Sequence, residues 1–269
     1  MQSVLITGAY GGMGRATAVL LASRGVRVFA LDLHVGAAEE NIVPIEADVT
    51  SEESLAAAYT RVASACDGLY AIVHFAGIYM LHSLAEMEDS AFSRIMDINL
   101  RGAYLVNKTF LPLLSRGSRI LVTTSELAPL DPLPFTGVYA VSKAALDKYA
   151  YSLAMELQLL GIRVSVLRAG AVETDMLGAS TAALDRFCDT TTLYTCNAAR
   201  FKAIVARVEA RCVPPERIAA RVARILTRRR PRFAYAINRN PLLLLLNCLP
   251  KRLQLFAIRT VLRKGNGNG

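Results

Sequence analysis

The sequence is poor in the residues that build metal centres and disulfide frameworks. Among 269 residues there are three histidines and five cysteines, Cys66, Cys188, Cys196, Cys212 and Cys248, an odd number with no Cys-x-x-Cys pair. This argues against a disulfide scaffold and a zinc site, so no metal is expected, and it fits a reducing cytoplasm. A membrane-spanning helix needs roughly 20 apolar residues, and the leucine run at 242–246 has only five. The start, Met1-Gln2-Ser3, leads straight into an apolar strand with no basic segment ahead of a long apolar stretch, so no signal peptide is expected. Acidic residues are missing from one region. Residues 217–269 hold thirteen Lys/Arg and no Asp/Glu, while all 22 acidic side chains lie earlier. The net charge of +9 therefore belongs to a mildly acidic domain with a basic tail. Leucines rather than stacking aromatics interleave the tail's cations, which argues against nucleic acid and for an anionic membrane surface.

What is abundant is apolar. Hydrophobic residues make up 53% of the chain and the mean hydropathy is +0.34, enough in this length for one large α/β core. Strand-like runs at 4–7, 27–31, 42–46, 69–74, 119–124, 162–167 and 232–237 alternate with helical stretches at 15–23, from 51, at 89–114, 138–160 and 214–227. That alternation predicts βαβ units in a single doubly wound parallel sheet with helices on both faces. Residues 178–213 carry no strand pattern and read as a helical flap, about 175–213, over a cleft. The division expected is a domain at 1–237 followed by a basic, leucine-rich tail at 238–269.

The turn Thr7-Gly8-Ala9-Tyr10-Gly11-Gly12-Met13-Gly14 joins the first strand to the first helix. Glycines there let the backbone approach a pyrophosphate, and the helix N-terminus offers free N–H groups. Gly8, Tyr10, Gly12, Met13 and Gly14 are the candidate contacts of a dinucleotide. Asp32, at the end of the second strand, can accept both ribose hydroxyls of the adenosine and would repel a 2′-phosphate. No Lys or Arg lies inside the turn, so NAD is preferred over NADP. Asp48 and Val49, after the third strand, are candidate adenine contacts.

Tyr139 and Lys143 lie four residues apart, one helical turn, on one face. A phenol has an ordinary pKa of about 10, and an ammonium beside it favours the phenolate and brings it toward acid–base work. Asn99 and Ser125 precede this pair in order.

With these pieces placed, the chain resembles the classical short-chain dehydrogenase/reductase family over roughly Met1 to Ile237. The family's Thr-Gly-x-x-x-Gly-x-Gly turn matches Thr7, Gly8, Gly12 and Gly14. Its Asn-Ala-Gly element is partly present as His74-Phe75-Ala76-Gly77. Its catalytic set falls on Asn99, Ser125, Tyr139 and Lys143, and its segment after strand six on Ala169-Gly170-Ala171-Val172-Glu173-Thr174. The resemblance implies a Rossmann-type fold with Ala76, Gly77, Tyr139, Lys143, Val172 and Thr174 at the nicotinamide end. It implies Tyr139 as general acid/base, Lys143 lowering its pKa, Ser125 polarising the substrate oxygen and Asn99 holding a proton-relay water. A homo-oligomer, dimer or tetramer, is also implied. His74 and Phe75 depart from the pattern, as does Ala169 in place of proline. The Ser125–Tyr139 gap is one residue longer than the family's, and Glu126 stands at the usual offset.

Substrate class is read from Leu127, Leu130, Leu133, Phe135, Met176, Leu177, Leu184, Phe187 and Leu193. If they face the cleft, the substrate is bulky and hydrophobic, a hydroxysteroid first and a retinoid or long-chain lipid alcohol next; the other reading is that they pack the flap. The tail, with Leu253, Leu255, Phe256, Ile258, Val261 and Leu262 among Lys251, Arg252, Arg259, Arg263 and Lys264, fits an amphipathic helix on the inner surface of a membrane. Docking on the protein's own core or on a second subunit fits equally. An NAD-binding regulatory protein of the same fold without turnover is the alternative function.

Overall fold

The computed structural model describes residues 2–209 and 212–263. Its seven strands form one sheet in the order β3-β2-β1-β4-β5-β6-β7, and every neighbouring pair is parallel. They are β1 (Ser3–Thr7), β2 (Arg27–Asp32), β3 (Ile42–Glu46), β4 (Leu69–His74), β5 (Leu114–Ser125), β6 (Arg163–Ala169) and β7 (Ala234–Ile237). Period-two alternation sends Val4, Ile6, Val28 and Val73 to one face and Leu5, Phe29, Leu31 and Ile72 to the other. Both faces are buried, which is why the strands read as continuous apolar runs rather than as alternating ones.

One face is covered by α1 (Gly12–Ala22) and α8 (Pro215–Thr227). Ile218, Val222, Ile225 and Leu226 of α8 recur at helical spacing and pack into the same core as Ala18, Leu21 and Ala22 of α1. The other face is covered by α2 (Glu52–Ala63), α4 (Gly102–Phe110) and α5 (Gly137–Leu157). Helix α2 starts where expected because Ser51 caps it, its hydroxyl accepting from Ser54 N–H at 3.2 Å. The strand order reverses between β1 and β4, so the crevice at their C-terminal ends is where such a sheet binds ligands.

The single helix expected over 89–114 is broken. It consists of α3 (Asp89–Met96), a π-turn at Asp97–Arg101, α4 and a 3₁₀ turn at Leu111–Leu113, and β5 begins at Leu114. The π-turn accompanies the inward pull of Asn99, whose side chain is bonded to the backbone of Ile78. Pro112 lies in the 3₁₀ turn, where its missing N–H ends the α-helical ladder. Behind the sheet, buried His74 donates from Nε2 to Asn107 Oδ1 at 2.9 Å, and Asn107 Nδ2 donates to the Tyr149 hydroxyl at 3.2 Å. Burial lowers the His74 pKa to about 4, so the ring is neutral. The departure at His74 is thus absorbed by a hydrogen-bond chain that ties β4 to α4 and α5.

The flap is helical, α6 (Asp175–Thr190) and α7 (Thr195–Glu209), and it has a small core of its own. Leu81, Leu184, Phe187, Phe201 and Leu262 are buried in it, with Leu133 and Phe135 packed against them. Phe135 sits at φ 65°, a rare conformation for a bulky residue. Its ring lies 4.5 Å from Phe187 and 5.4 Å from Phe201 between centroids, and that packing holds the strained backbone. The turn between α6 and α7 is fastened by Glu86, whose carboxylate accepts from Thr191 Oγ1, Thr192 N, Thr192 Oγ1 and Leu193 N at 2.8–3.0 Å.

The tail forms α9 (Pro241–Asn247) and α10 (Lys251–Leu262). One face of α10 docks on the chain's own core: Gln254 and Leu262 are buried, and Asn197 Nδ2 of α7 donates to Leu262 C=O at 2.7 Å. Asn247 Oδ1 accepts from Asp131 N–H at 2.6 Å, and Lys251 pairs with the Asp131 carboxylate. No helix among the described residues is long and apolar enough to cross a membrane.

Candidate active site

A cleft of about 740 Å³ opens at the C-terminal ends of β1, β2 and β4. Its floor is the glycine turn, and the glycines there are required by space. Gly8 has φ 65°, and a Cβ on it would stand 2.6 Å from Ala76 N; one on Gly14 would stand 2.0 Å from Gly8 C=O. A Cβ on Gly12 would meet the Thr174 methyl at 2.6 Å, so the first turn of α1 and the start of α6 close on each other across the cleft. Gly8, Gly12, Met13 and Gly14 line it, with Asp32, Asp48, Val49, Ala76 and Gly77.

Asp32 sits at the mouth. Its Oδ2 accepts from Tyr10 N–H and its Oδ1 from Leu33 N–H, each at 2.8 Å, which fixes the carboxylate at the end of β2. Arg15, the cation nearest the turn, places one guanidinium nitrogen 2.7 and 2.8 Å from the two carboxylate oxygens of Glu39. Asp48 accepts from Thr50 N–H and Thr50 Oγ1 and so shapes the loop that presents Val49. Val172 is buried and bridges to Val213, and Thr174 begins α6.

Asn99, Ser125, Tyr139 and Lys143 come together behind Gly77 and Ile78, which line the cleft; the four are not themselves in its lining. Asn99 Oδ1 accepts from Ile78 N–H at 2.8 Å, and Nδ2 donates to Ile78 C=O at 3.0 Å and to Ser142 Oγ at 3.0 Å. A Cβ on Gly77 would lie 3.1 Å from Asn99 Oδ1 and 3.2 Å from Lys143 Nζ, so Gly77 leaves room for both side chains. Lys143 Nζ stands 5.8 Å from the centre of the Tyr139 ring. Ser125, the last residue of β5, hydrogen-bonds the Tyr139 hydroxyl. The extra residue in the loop therefore leaves Ser125 as Tyr139's partner. Glu126 points elsewhere: its Oε2 accepts from Asn240 N–H at 2.6 Å.

The electrostatics depart from expectation at Tyr139. Burial of its hydroxyl end pushes the phenol pKa upward, Tyr79 adds to this, and the bond from Ser125 offsets part of it. Lys143 does not bring the phenol down in this form, because its own ammonium is desolvated and its pKa falls to about 8.

Of the two readings of the apolar residues around the flap, packing fits the structure better. Leu133, Phe135, Leu184 and Phe187 pack on one another in the flap core, and Leu193 is exposed to solvent. The side chains of Met176 and Leu177 lie outside the described residues. Two further residues brace the site: Ser142, which had no signal of its own in the sequence, and Tyr79, which lies in the 78–81 stretch expected to line the substrate cleft. Ser142 is fully buried, accepts from Asn99 and donates to Tyr139 C=O at 2.8 Å, bracing both residues. Tyr79 stacks its ring 4.8 Å from that of Tyr139 and walls the site. For Ser142 the only hint was a small polar residue one position before the lysine.

A doubly wound sheet with a glycine cradle at its switch point, an acidic residue closing the second strand and a Ser-Tyr-Lys-Asn cluster beyond it defines a nucleotide-dependent oxidoreductase class. The family model for short chain dehydrogenase matches residues 2–185, and the chain belongs to that family. Estradiol 17-beta-dehydrogenase 2 of Mus musculus is 33% identical over 189 residues, covering 66% of this chain and 50% of the relative. The 11-beta-hydroxysteroid dehydrogenase type 2 of Ovis aries is 33% identical over 186 residues, covering 65% and 44%. The chain spans about half the length of these relatives. A short chain dehydrogenase family protein of Francisella tularensis superposes with a TM-score of 0.74 over 88% of this chain and 97% of that one, at 22% identity, a likeness of fold.

Proposed function

We propose that the protein is a nicotinamide-dependent oxidoreductase that interconverts a secondary alcohol and a ketone on a hydrophobic substrate, with NAD preferred. The observation that carries the reading is Ser125 partnering the Tyr139 hydroxyl, with Lys143 and Asn99 packed against Gly77 of the cleft wall. The residues present fit a dinucleotide: a Cβ at Gly8, Gly12 or Gly14 would run into Ala76 N, the Thr174 methyl or Gly8 C=O, so only glycine lets the turn close this tightly, and the N-terminus of α1 faces the cleft with free N–H groups. A bound nicotinamide supplies or accepts the hydride. Ser125 holds the substrate oxygen beside Tyr139, and Tyr139 donates a proton to that oxygen in reduction and removes it in oxidation. Lys143 holds positive charge next to the phenol, and the Ser125 bond favours the phenolate. Asn99 fixes the Ile78 backbone and keeps the wall between Gly77 and Lys143 in register.

The preference for NAD is supported by Asp32, a fixed carboxylate that a 2′-phosphate would meet, and by Arg15, which is engaged by Glu39. A hydroxysteroid is the lead substrate, with a retinoid or long-chain lipid alcohol next. The names of the relatives and the Tyr79 wall support it more than the flap leucines do. Pairing of subunits through α4 and α5 is supported by exposed Tyr104, Val141, Tyr151 and Met155. The test is formation of reduced cofactor from NAD and from NADP across hydroxysteroids and long-chain alcohols. Tyr139→Phe is expected to abolish turnover and leave dinucleotide binding intact. Equal turnover by that variant would end the assignment of Tyr139, and turnover with NADP alone would end that of Asp32.

A further inference from the structure

Helix α10 is apolar on two opposite faces. On the inner face Ile258 and Leu262 dock against the flap core, and buried Gln254 donates to Leu249 C=O at 2.9 Å. The outer face carries Leu253 and Phe256, three residues apart and 52% and 67% exposed, with Arg252 and Arg259 flanking Phe256. Leu255, at 69% exposure, lies at the boundary. Helix α9, directly before it, also exposes Leu242 and Leu245, one turn apart and 66% and 65% exposed. Single exposed leucines are ordinary, but a stripe of large apolar side chains set among cations marks an interaction surface.

Charge selects the partner. From residue 217 to the end there is no acidic side chain. A second copy meeting this face across a two-fold axis would set Arg252 and Arg259 against themselves, with no carboxylate in the segment to separate them. An anionic bilayer satisfies both components: its interfacial region takes up Leu253 and Phe256, and its phosphates attract the guanidinium groups. We propose that α9 and α10 form a peripheral membrane-docking face, with Leu253 and Phe256 inserted at the level of the headgroups of an anionic bilayer and Arg252 and Arg259 against its phosphates. A groove of about 700 Å³ follows the same helix, between Leu255, Ile258 and Arg259 on one side and Leu133 and Phe135 on the other. The docking face does not depend on the proposed reaction.

The test is sedimentation of the full chain with phosphatidylcholine vesicles, with and without roughly 30% phosphatidylglycerol, at low salt and at ~0.5 M salt. The comparison is with the double variant Leu253→Asp/Phe256→Asp, whose fold is checked by its melting temperature. Expected is binding to the anionic vesicles only, weakened at high salt and roughly tenfold or more weaker for the double variant. No binding by the native chain, or equal binding by the variant, overturns the proposal. A change of oligomeric state in the variant with vesicle binding unchanged also overturns it and assigns the face to a second copy. Because turnover is not read, failure here leaves the proposed reaction standing, and the reverse also holds.

Discussion

Lys143→Met is expected to make the protein more stable at neutral pH while removing its turnover. Lys143 is buried in α5 beside Gly77, and desolvation is what lowers its pKa from 10.5 to about 8. A base whose folded pKa lies below its unfolded value destabilises the fold wherever it must be charged. Between pH 8 and 10.5 the unfolded chain binds a proton that the folded one does not, so stability rises with pH across that window. At ~1.4 kcal/mol per pH unit, the buried ammonium costs about 3 kcal/mol at pH 7. Methionine keeps the unbranched stem and removes the charge. It leaves no acceptor orphaned, because Asn99 Oδ1 still accepts from Ile78 N–H. At roughly 2–4 °C per kcal/mol for a domain of this size, the variant is expected to melt about 6–12 °C higher at pH 7. The assay is thermal unfolding of both proteins from pH 6 to pH 10.5, with turnover measured alongside. The gap should hold below pH 8 and close as pH approaches 10.5, where the lysine is neutral in both states. A variant that is less stable at pH 7, or a gap that does not change with pH, would show that the ammonium is compensated in the fold and refute the argument.

Asp32→Ala should lower the preference for NAD over NADP by roughly tenfold or more, by removing the carboxylate that a 2′-phosphate would face; affinities for the two dinucleotides measure it. Phe187→Ala should cost about 3–5 kcal/mol of stability, because a fully buried ring that props the strained Phe135 is lost; denaturant unfolding with a flap-specific probe reads it. Hydrogen bonds from the α6–α7 turn lower the Glu86 pKa from 4.5 to about 2. The fastening it provides is therefore present above about pH 4.5 and lost as pH falls toward 2. Glu86→Ala should expose the Thr192 and Leu193 amides to hydrogen exchange at pH 7, and unchanged protection would refute that role.

The family resemblance and the doubly wound sheet were legible because their signals are local. A glycine turn between strand and helix, an aspartate ending the next strand and a Tyr-x-x-x-Lys spacing each need only a few neighbouring residues. The π-turn at Asp97–Arg101 was not legible, because the hydrogen bonds that accompany it join Asn99 to the distant backbone of Ile78. The choice between Ser125 and Glu126 depended on where β5 ends, and Glu126's actual partner, Asn240, is 114 residues away. Composition pointed to apolar residues around the flap, but whether they line a cleft or pack on one another is a property of the assembled chain. The raised pKa of Tyr139 has the same origin, since burial cannot be read from a helical spacing.

The bonds from Glu126 to Asn240 and from Asp131 to Asn247 also set a timetable. The cradle, whose lining runs from Gly8 to Arg101 with Thr174 closing on it, has its parts on hand before the tail is made. The loop that follows Ser125 waits more than a hundred residues for the backbone amide and side chain that hold it. At ~5–20 residues per second, the ribosome delivers those partners several seconds after the loop itself has emerged. A nascent chain can thus complete its nucleotide cradle well before the loop beside Ser125 is fastened, and the last helices made finish that part of the molecule.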